Sequence, residues 1–129
     1  MILVVSTLPH FLALYYSPDV YYSGVVTLST LASIIWHYEG SDLTLFCVID
    51  HLLATLWFFT DLYYSYNTIH INTIIILLHF VFSSTNEYTY TQSFWHLLSA
   101  IKAIYVAKYL REINNSKYAP SIYNVDQLS

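Results

Sequence analysis

Five apolar segments, separated by short polar connections, make up most of this 129-residue chain. They span about residues 2–16, 20–38, 43–60, 69–83 and 92–110. A helix needs about 20 residues to cross a bilayer, with a range of about 17 to 25, and the second, third and fifth segments reach that length. Membrane backbone must satisfy its own hydrogen bonds, and these segments do not alternate in polarity, so helices rather than barrel strands are predicted.

The composition also indicates a membrane protein. Hydrophobic residues make up 57% of the chain and charged residues 9%, whereas a soluble domain carries about 25% charged residues. The single cysteine, Cys47, excludes an internal disulfide and a cysteine-based zinc site. The sequence therefore predicts an all-α membrane protein, a compact bundle of about five transmembrane helices over residues 1–111, surrounded by membrane lipids.

The basic residues give the predicted orientation. All four Lys and Arg residues lie at or after Lys102. Cytoplasmic flanks of membrane helices are enriched in Lys and Arg, so the C-terminus is predicted to be cytoplasmic, with residues 112–129 forming a loose polar tail there. Five spans then place the N-terminus on the lumenal or extracellular side. Nucleic acid is not an expected partner, because no basic patch exists away from this flank.

Polar side chains fall at similar depths in three of the predicted helices. Ser33 and His37 lie in the last turns of the second helix and, four residues apart, face the same side. Asp50 lies about seven residues into the third helix, and His96 lies about one turn into the fifth. Short connections make neighbouring helices antiparallel, so all four positions approach one membrane face. Helices packed about 8–10 Å apart can bring them together.

Ionisable side chains inside a membrane segment cost at least about 2.5–3.5 kcal/mol each on insertion scales, so a functional role is the default hypothesis. Imidazole, carboxylate and hydroxyl groups together are the chemistry of a zinc hydrolase. Histidines hold the metal, an aspartate orients or deprotonates its water, and a hydroxyl stabilises that water or the developing oxyanion.

Structural roles compete with this hypothesis. A hydrogen bond to a neighbouring helix is the favoured role of four other histidines: His10, His51, His70 and His79. An ion pair between Asp50 and Lys102, near mid-membrane, is an alternative that satisfies both charges. Asp61 is interpreted as a marker of the inner end of the third helix. For Ser33 taken alone, a hydrogen bond to the helix backbone is the simpler explanation.

Two stretches of the chain resemble the CREST superfamily, which includes alkaline ceramidases, progestin/adipoQ receptors and myomaker-like proteins. The stretch STLASIIWH in the second segment, followed by an Asp in the third, resembles the family's second and third helices. The stretch TQSFWHLLSAIKAIY resembles its final helix. The resemblance covers about residues 8–60 and 90–110. It implies a shortened form of the family's seven-helix fold and the hydrolysis of a lipid amide or ester, with a lipid substrate entering from the bilayer.

The resemblance also implies roles for single residues. His37 and His96 would be zinc ligands, and Ser33 and Asp50 would contact the zinc-bound water. Gln92 stands four residues before His96, where the family has another His, so the third ligand would be an amide, which binds zinc more weakly than imidazole does.

This departure, and the reduction from seven helices to about five, support an alternative function: a non-catalytic membrane scaffold or interaction protein that forms homo-oligomers. A channel or transporter is less favoured, because paired charges do not follow one continuous path.

Overall fold

The computed structural model describes residues 1–83 and 88–118, apart from the side chains of residues 79, 80, 82, 83 and 88. Over these residues all regular secondary structure is helical, and no strand is present. Five helical segments follow one another along the chain, as the five apolar segments predict. The hydrogen bond predicted for His79 involves a side chain that lies outside the described part of the structure.

The first segment is a composite of three short helices. Helix α1 spans Ile2–Thr7, a 3-10 turn spans Leu8–Phe11, and α2 spans Leu12–Tyr16. Pro9 lies in the first turn of the 3-10 stretch. Proline has no N–H and clashes with the preceding helical turn, which interrupts the α-helical ladder there. The interruption changes the direction of the side chains that follow it.

The next two helices form an antiparallel pair. Helix α3 spans Val20–Tyr38, and α4 spans Leu45–Tyr64. Asp19 caps α3, because its carboxylate accepts a 2.7 Å hydrogen bond from the Tyr22 backbone N–H. Gly40, with a φ of 99°, reverses the chain in the intervening loop. Helix α4 ends four residues later than the predicted limit of residue 60.

The last two helices are α5, Thr68–Ser83, and α6, Tyr88–Tyr118. The prediction of a loose tail from residue 112 is wrong as far as Tyr118, because α6 continues to that point. No Gly or Pro occurs between residues 111 and 119, so no residue of the type that usually ends a helix is present there. The rest of the predicted tail, residues 119–129, lies outside the described residues.

Helix α6 packs against both the first segment and α5, while α3 packs mainly against α4. An apolar cluster fills one end of this arrangement. Tyr22, Trp57 and Val106 are its larger members, and alanines of α6, Ala103 and Ala107, allow close approach of the helices.

The distribution of polarity is inverted relative to that of a soluble domain. Among the described residues, sixteen buried side chains are polar or charged and thirteen are hydrophobic. Large hydrophobic side chains are exposed on each of the four longer helices, α3 to α6; examples are Leu28, Leu52, Leu77 and Leu97. Within the described ranges, one helix, Leu45–Tyr64, is long and apolar enough to cross a membrane. The membrane location of the bundle therefore stays a prediction.

Candidate functional site

Two buried histidines, 59 positions apart in the sequence, face each other through their ring nitrogens. His37 lies in the last turn of α3, and His96 lies about two turns into α6. Their Nε2 atoms are 3.3 Å apart, and the exposed fractions of the two residues are 6% and 1%. The sequence places these two residues in one site, and the structure brings them into direct contact.

The second nitrogen of each ring contacts a serine hydroxyl. His96 Nδ1 is 2.7 Å from Ser6 Oγ, and His37 Nδ1 is 2.8 Å from Ser41 Oγ. The Ser6 hydroxyl donates to the Leu3 carbonyl at 2.8 Å, so its oxygen accepts from His96 Nδ1–H. This assignment leaves a lone pair on His96 Nε2, which faces His37. In other proteins, a hydrogen-bond acceptor at the second ring nitrogen orients metal-binding histidines, and a serine oxygen is in that position here.

The distance between the two Nε2 atoms agrees with zinc geometry. Zinc binds histidine nitrogen at about 2.0–2.1 Å, usually in a tetrahedral arrangement, which places two ligand nitrogens about 3.3 Å apart. The pair of His37 and His96 therefore fits two ligands of one zinc ion. Without a metal, the same distance fits a hydrogen bond from His37 Nε2–H to His96 Nε2.

A third buried histidine, His10, contacts the backbone of His96. Its Nε2–H donates to the His96 carbonyl at 2.9 Å, and its Nδ1 is 3.3 Å from Thr30 Oγ1. The bond to the His96 carbonyl joins the first segment to α6, as expected of a histidine that hydrogen-bonds a neighbouring helix. Sequence reasoning missed that Ser6 and His10 both bind His96. The available signal was their spacing of four residues across Pro9.

The other predicted site residues surround a cavity of about 600 Å³ next to the histidine pair. Ser33, Asp50 and Gln92 line it, and their exposed fractions are 5%, 4% and 4%. Ser33 lies on α3 and Asp50 on α4, which pack against each other. His37 and His96 are not among the described residues that line the cavity. The predicted site residues therefore form two adjoining groups, the histidine pair and the three cavity-lining residues, rather than one cluster.

Lys102 does not pair with Asp50. Its Nζ lies 2.6 Å from Asp61 Oδ2, so the alternative ion pair and the interpretation of Asp61 as a helix-end marker are both wrong. Asp61 has an exposed fraction of 0% and accepts a 2.8 Å hydrogen bond from Tyr22 Oη. The reason is the extra length of α4: residues 61–64 are helical, which places Asp61 inside the bundle.

The remaining histidines have other surroundings. His51 is exposed at the cavity rim, and its Nδ1 lies 2.7 Å from the Cys47 carbonyl oxygen, one turn earlier on α4. His70 is exposed near the start of α5. Across residues 1–83 and 88–118, no group of three or more His, Cys, Asp or Glu side chains is arranged to hold a metal ion.

Comparisons of the chain with protein-family models, with curated proteins and with solved structures found no match.

Proposed function

We propose that this protein is an integral membrane protein in which His37 and His96 bind zinc, and that it hydrolyses a lipid amide or ester held in the adjoining cavity. The observation that carries the proposal is the contact between the two Nε2 atoms at 3.3 Å. Each opposite ring nitrogen contacts a serine hydroxyl, which leaves the facing nitrogens for a shared metal ion.

The inverted distribution of polarity supports the membrane location. A soluble protein rarely exposes large continuous apolar surfaces while it buries ionisable groups. Here Leu52, Phe59 and Leu97 have exposed fractions of 65%, 61% and 47%, whereas Asp50 and Lys102 are buried. In a bilayer the exposed side chains contact lipid tails, and the buried polar groups face one another.

Gln92 is the proposed third protein ligand. Catalytic zinc sites usually have three protein ligands and one open position. Gln92 lies four residues before His96 on α6, which places both on the same side of the helix, and its exposed fraction is 4%. An amide oxygen is a weaker ligand than imidazole, so moderate zinc affinity is expected.

Zinc bound at this pair would acidify a water molecule next to the cavity. The roles of the protein groups follow from their positions. Asp50 lines the cavity wall, where its carboxylate would accept a proton from that water, and Ser33 lines the same cavity from α3. The Ser33 hydroxyl also provides a donor for negative charge that develops on a carbonyl oxygen. Apolar side chains such as Phe58 and Ile75 cover the acyl chain.

A second candidate function is a non-catalytic membrane scaffold. Gln92 favours it, because a weak third ligand makes permanent zinc loading harder. In this case the histidine pair holds α3 against α6 through its hydrogen bond, and the cavity binds lipid without turnover.

The test is metal analysis of the protein purified in mild detergent, together with hydrolysis of a fluorogenic acyl amide. The proposal expects about one zinc per chain, lost in His37→Ala and His96→Ala but retained in His51→Ala, which alters an exposed histidine outside the pair. Zinc without hydrolysis overturns the hydrolase proposal but keeps the metal site, and the absence of both zinc and hydrolysis supports the scaffold. No zinc in the wild-type protein, after growth and purification with zinc, overturns the metal site.

A further inference from the structure

The end of the cavity farthest along α6 contains a polar group separate from the proposed reaction centre. Lys102 and Asn72 both line the cavity, with exposed fractions of 5% and 2%. Lys102 Nζ donates to Asn72 Oδ1 at 3.1 Å and forms an ion pair with Asp61 at 2.6 Å. Lys102 lies ten residues beyond Gln92, or about 15 Å along the helix axis.

Asn72 has a donor without an acceptor. Its Oδ1 is occupied by Lys102, but the buried Nδ2 has no hydrogen-bond partner within the described part of the chain. Buried donors in native proteins are nearly always paired with protein groups, water or a ligand. Because Asn72 borders the cavity, the missing acceptor is expected to come from a molecule inside it.

The charges around Asn72 determine whether a charged or an uncharged acceptor is favoured. Asp61 already neutralises Lys102 through a direct ion pair. A second anion beside this pair would place a net negative charge in a desolvated site, which is costly. An uncharged carbonyl or hydroxyl oxygen accepts the same hydrogen bond without that cost.

The rest of the cavity fits an acyl chain. Phe58, Phe59, Ile75 and Ile76 line it from α4 and α5. Phe59 and Ile76 are also exposed, with fractions of 61% and 41%, so the cavity reaches the outer surface between these two helices. Its volume of about 600 Å³ lies within the range of small-molecule sites, about 300–1,000 Å³.

We propose that Asn72 and Lys102 form a second polar subsite, which binds an uncharged carbonyl or hydroxyl group of an acyl lipid. The acyl chain lies against the apolar wall formed by α4 and α5. This inference rests on the lipid ligand of the proposed function but requires neither zinc nor hydrolysis.

Two matched lipids test the charge preference in the wild-type protein. N-oleoylethanolamine and N-oleoyltaurine share an acyl amide and end in a hydroxyl and a sulfonate, respectively. Trp57 and Trp95 line the cavity, so tryptophan fluorescence in nanodiscs reports binding. The ethanolamide is expected to bind at least about tenfold more tightly. Equal affinities, tighter binding of the taurine conjugate or no binding of either lipid overturns the proposal.

Paired variants on α5 test the residue assignment. Asn72→Leu removes the subsite donor, and Thr73→Leu alters the exposed neighbouring residue. The first change is expected to weaken N-oleoylethanolamine binding about tenfold, and the second to leave it unchanged. Equal binding by a folded Asn72→Leu variant contradicts the assignment. If that variant does not fold, the comparison of the two lipids decides alone.

Repeating the lipid titration with His37→Ala separates the two proposals. Lipid binding that persists in a protein without zinc supports the subsite even if the hydrolase proposal fails. Zinc binding and hydrolysis that are unchanged in Asn72→Leu, together with unchanged lipid affinity, overturn the subsite and leave the proposed function intact.

Discussion

Lys102 Nζ and Asp61 Oδ2 lie 2.6 Å apart and join α6 to α4 through two side chains with exposed fractions of 6% and 0%. Tyr22 donates to the same carboxylate, and the Lys102 ammonium lies 4.9 Å from the centroid of the Trp57 ring. Burial of each charge is costly, and the partner offsets that cost only while both are present.

Loss of one partner from this pair is expected to be strongly destabilising. Lys102→Met should lower the free energy of unfolding by about 3–5 kcal/mol, because Asp61 is then buried without its cation. The double variant Lys102→Met/Asp61→Leu should recover most of that loss. Unfolding by denaturant in detergent micelles measures both values. A double variant no more stable than the single one would show that the ion pair does not explain the loss.

The serine hydroxyls behind the histidines should control metal affinity. Ser6→Ala and Ser41→Ala each remove the partner of one Nδ1 atom, and each is expected to weaken zinc binding about 10–100-fold. Ser93→Ala is the control, because its hydroxyl donates to the Thr89 carbonyl on the outside of α6. Competition with a zinc chelator measures the affinities. Identical values for all three variants would contradict the orienting role.

Replacement of Gln92 by histidine should strengthen the metal site. An imidazole four residues before His96 supplies a better ligand than the amide, so zinc affinity is expected to rise at least about tenfold. Ser93→His places the same side chain one position away on α6 and should have no such effect. Chelator competition is again the measurement, and a rise in both variants would indicate nonspecific binding.

The predicted orientation places the loop at residues 39–44 and the end of α6 on opposite sides of the membrane. In a Cys47→Ser background, Asp42→Cys should react with a membrane-impermeant maleimide added to sealed cells. Asn115→Cys should react only after permeabilisation. Both native residues are exposed, so each engineered thiol is accessible from its own side. Labelling of both sites in sealed cells contradicts the topology.

Hydropathy identified the helical segments more reliably than it identified their ends. Helix α3 occupies residues 20–38, the range that its apolar residues predict. The last turns of α4 and α6 contain polar and aromatic residues that neither favour burial nor end a helix. An apolar pattern does not detect a helical turn whose buried residue is charged, such as Asp61 of α4, or a helix that continues with exposed residues, as α6 does.

The sequence indicated the facing histidines through their depth, but it could not identify the partner of Lys102. Asp50 and Asp61 are eleven residues apart on α4, which is about three full turns, so both project from the same face. The position of α6 along the axis of α4 decides which of these two carboxylates lies beside Lys102. Similarly, the contact of Ser6 with His96 depends on how the first segment packs against α6, which the spacing of residues within one helix does not describe.

The hydrogen bond between Ser6 and His96 joins residues ninety positions apart. Contacts this distant in sequence require closure of a long loop before they can form, which has an entropic cost. During synthesis, Ser6 and His37 both appear long before His96, which they share. Zinc retained by the histidine pair would therefore report that the first segment, α3 and α6 have reached their final arrangement together.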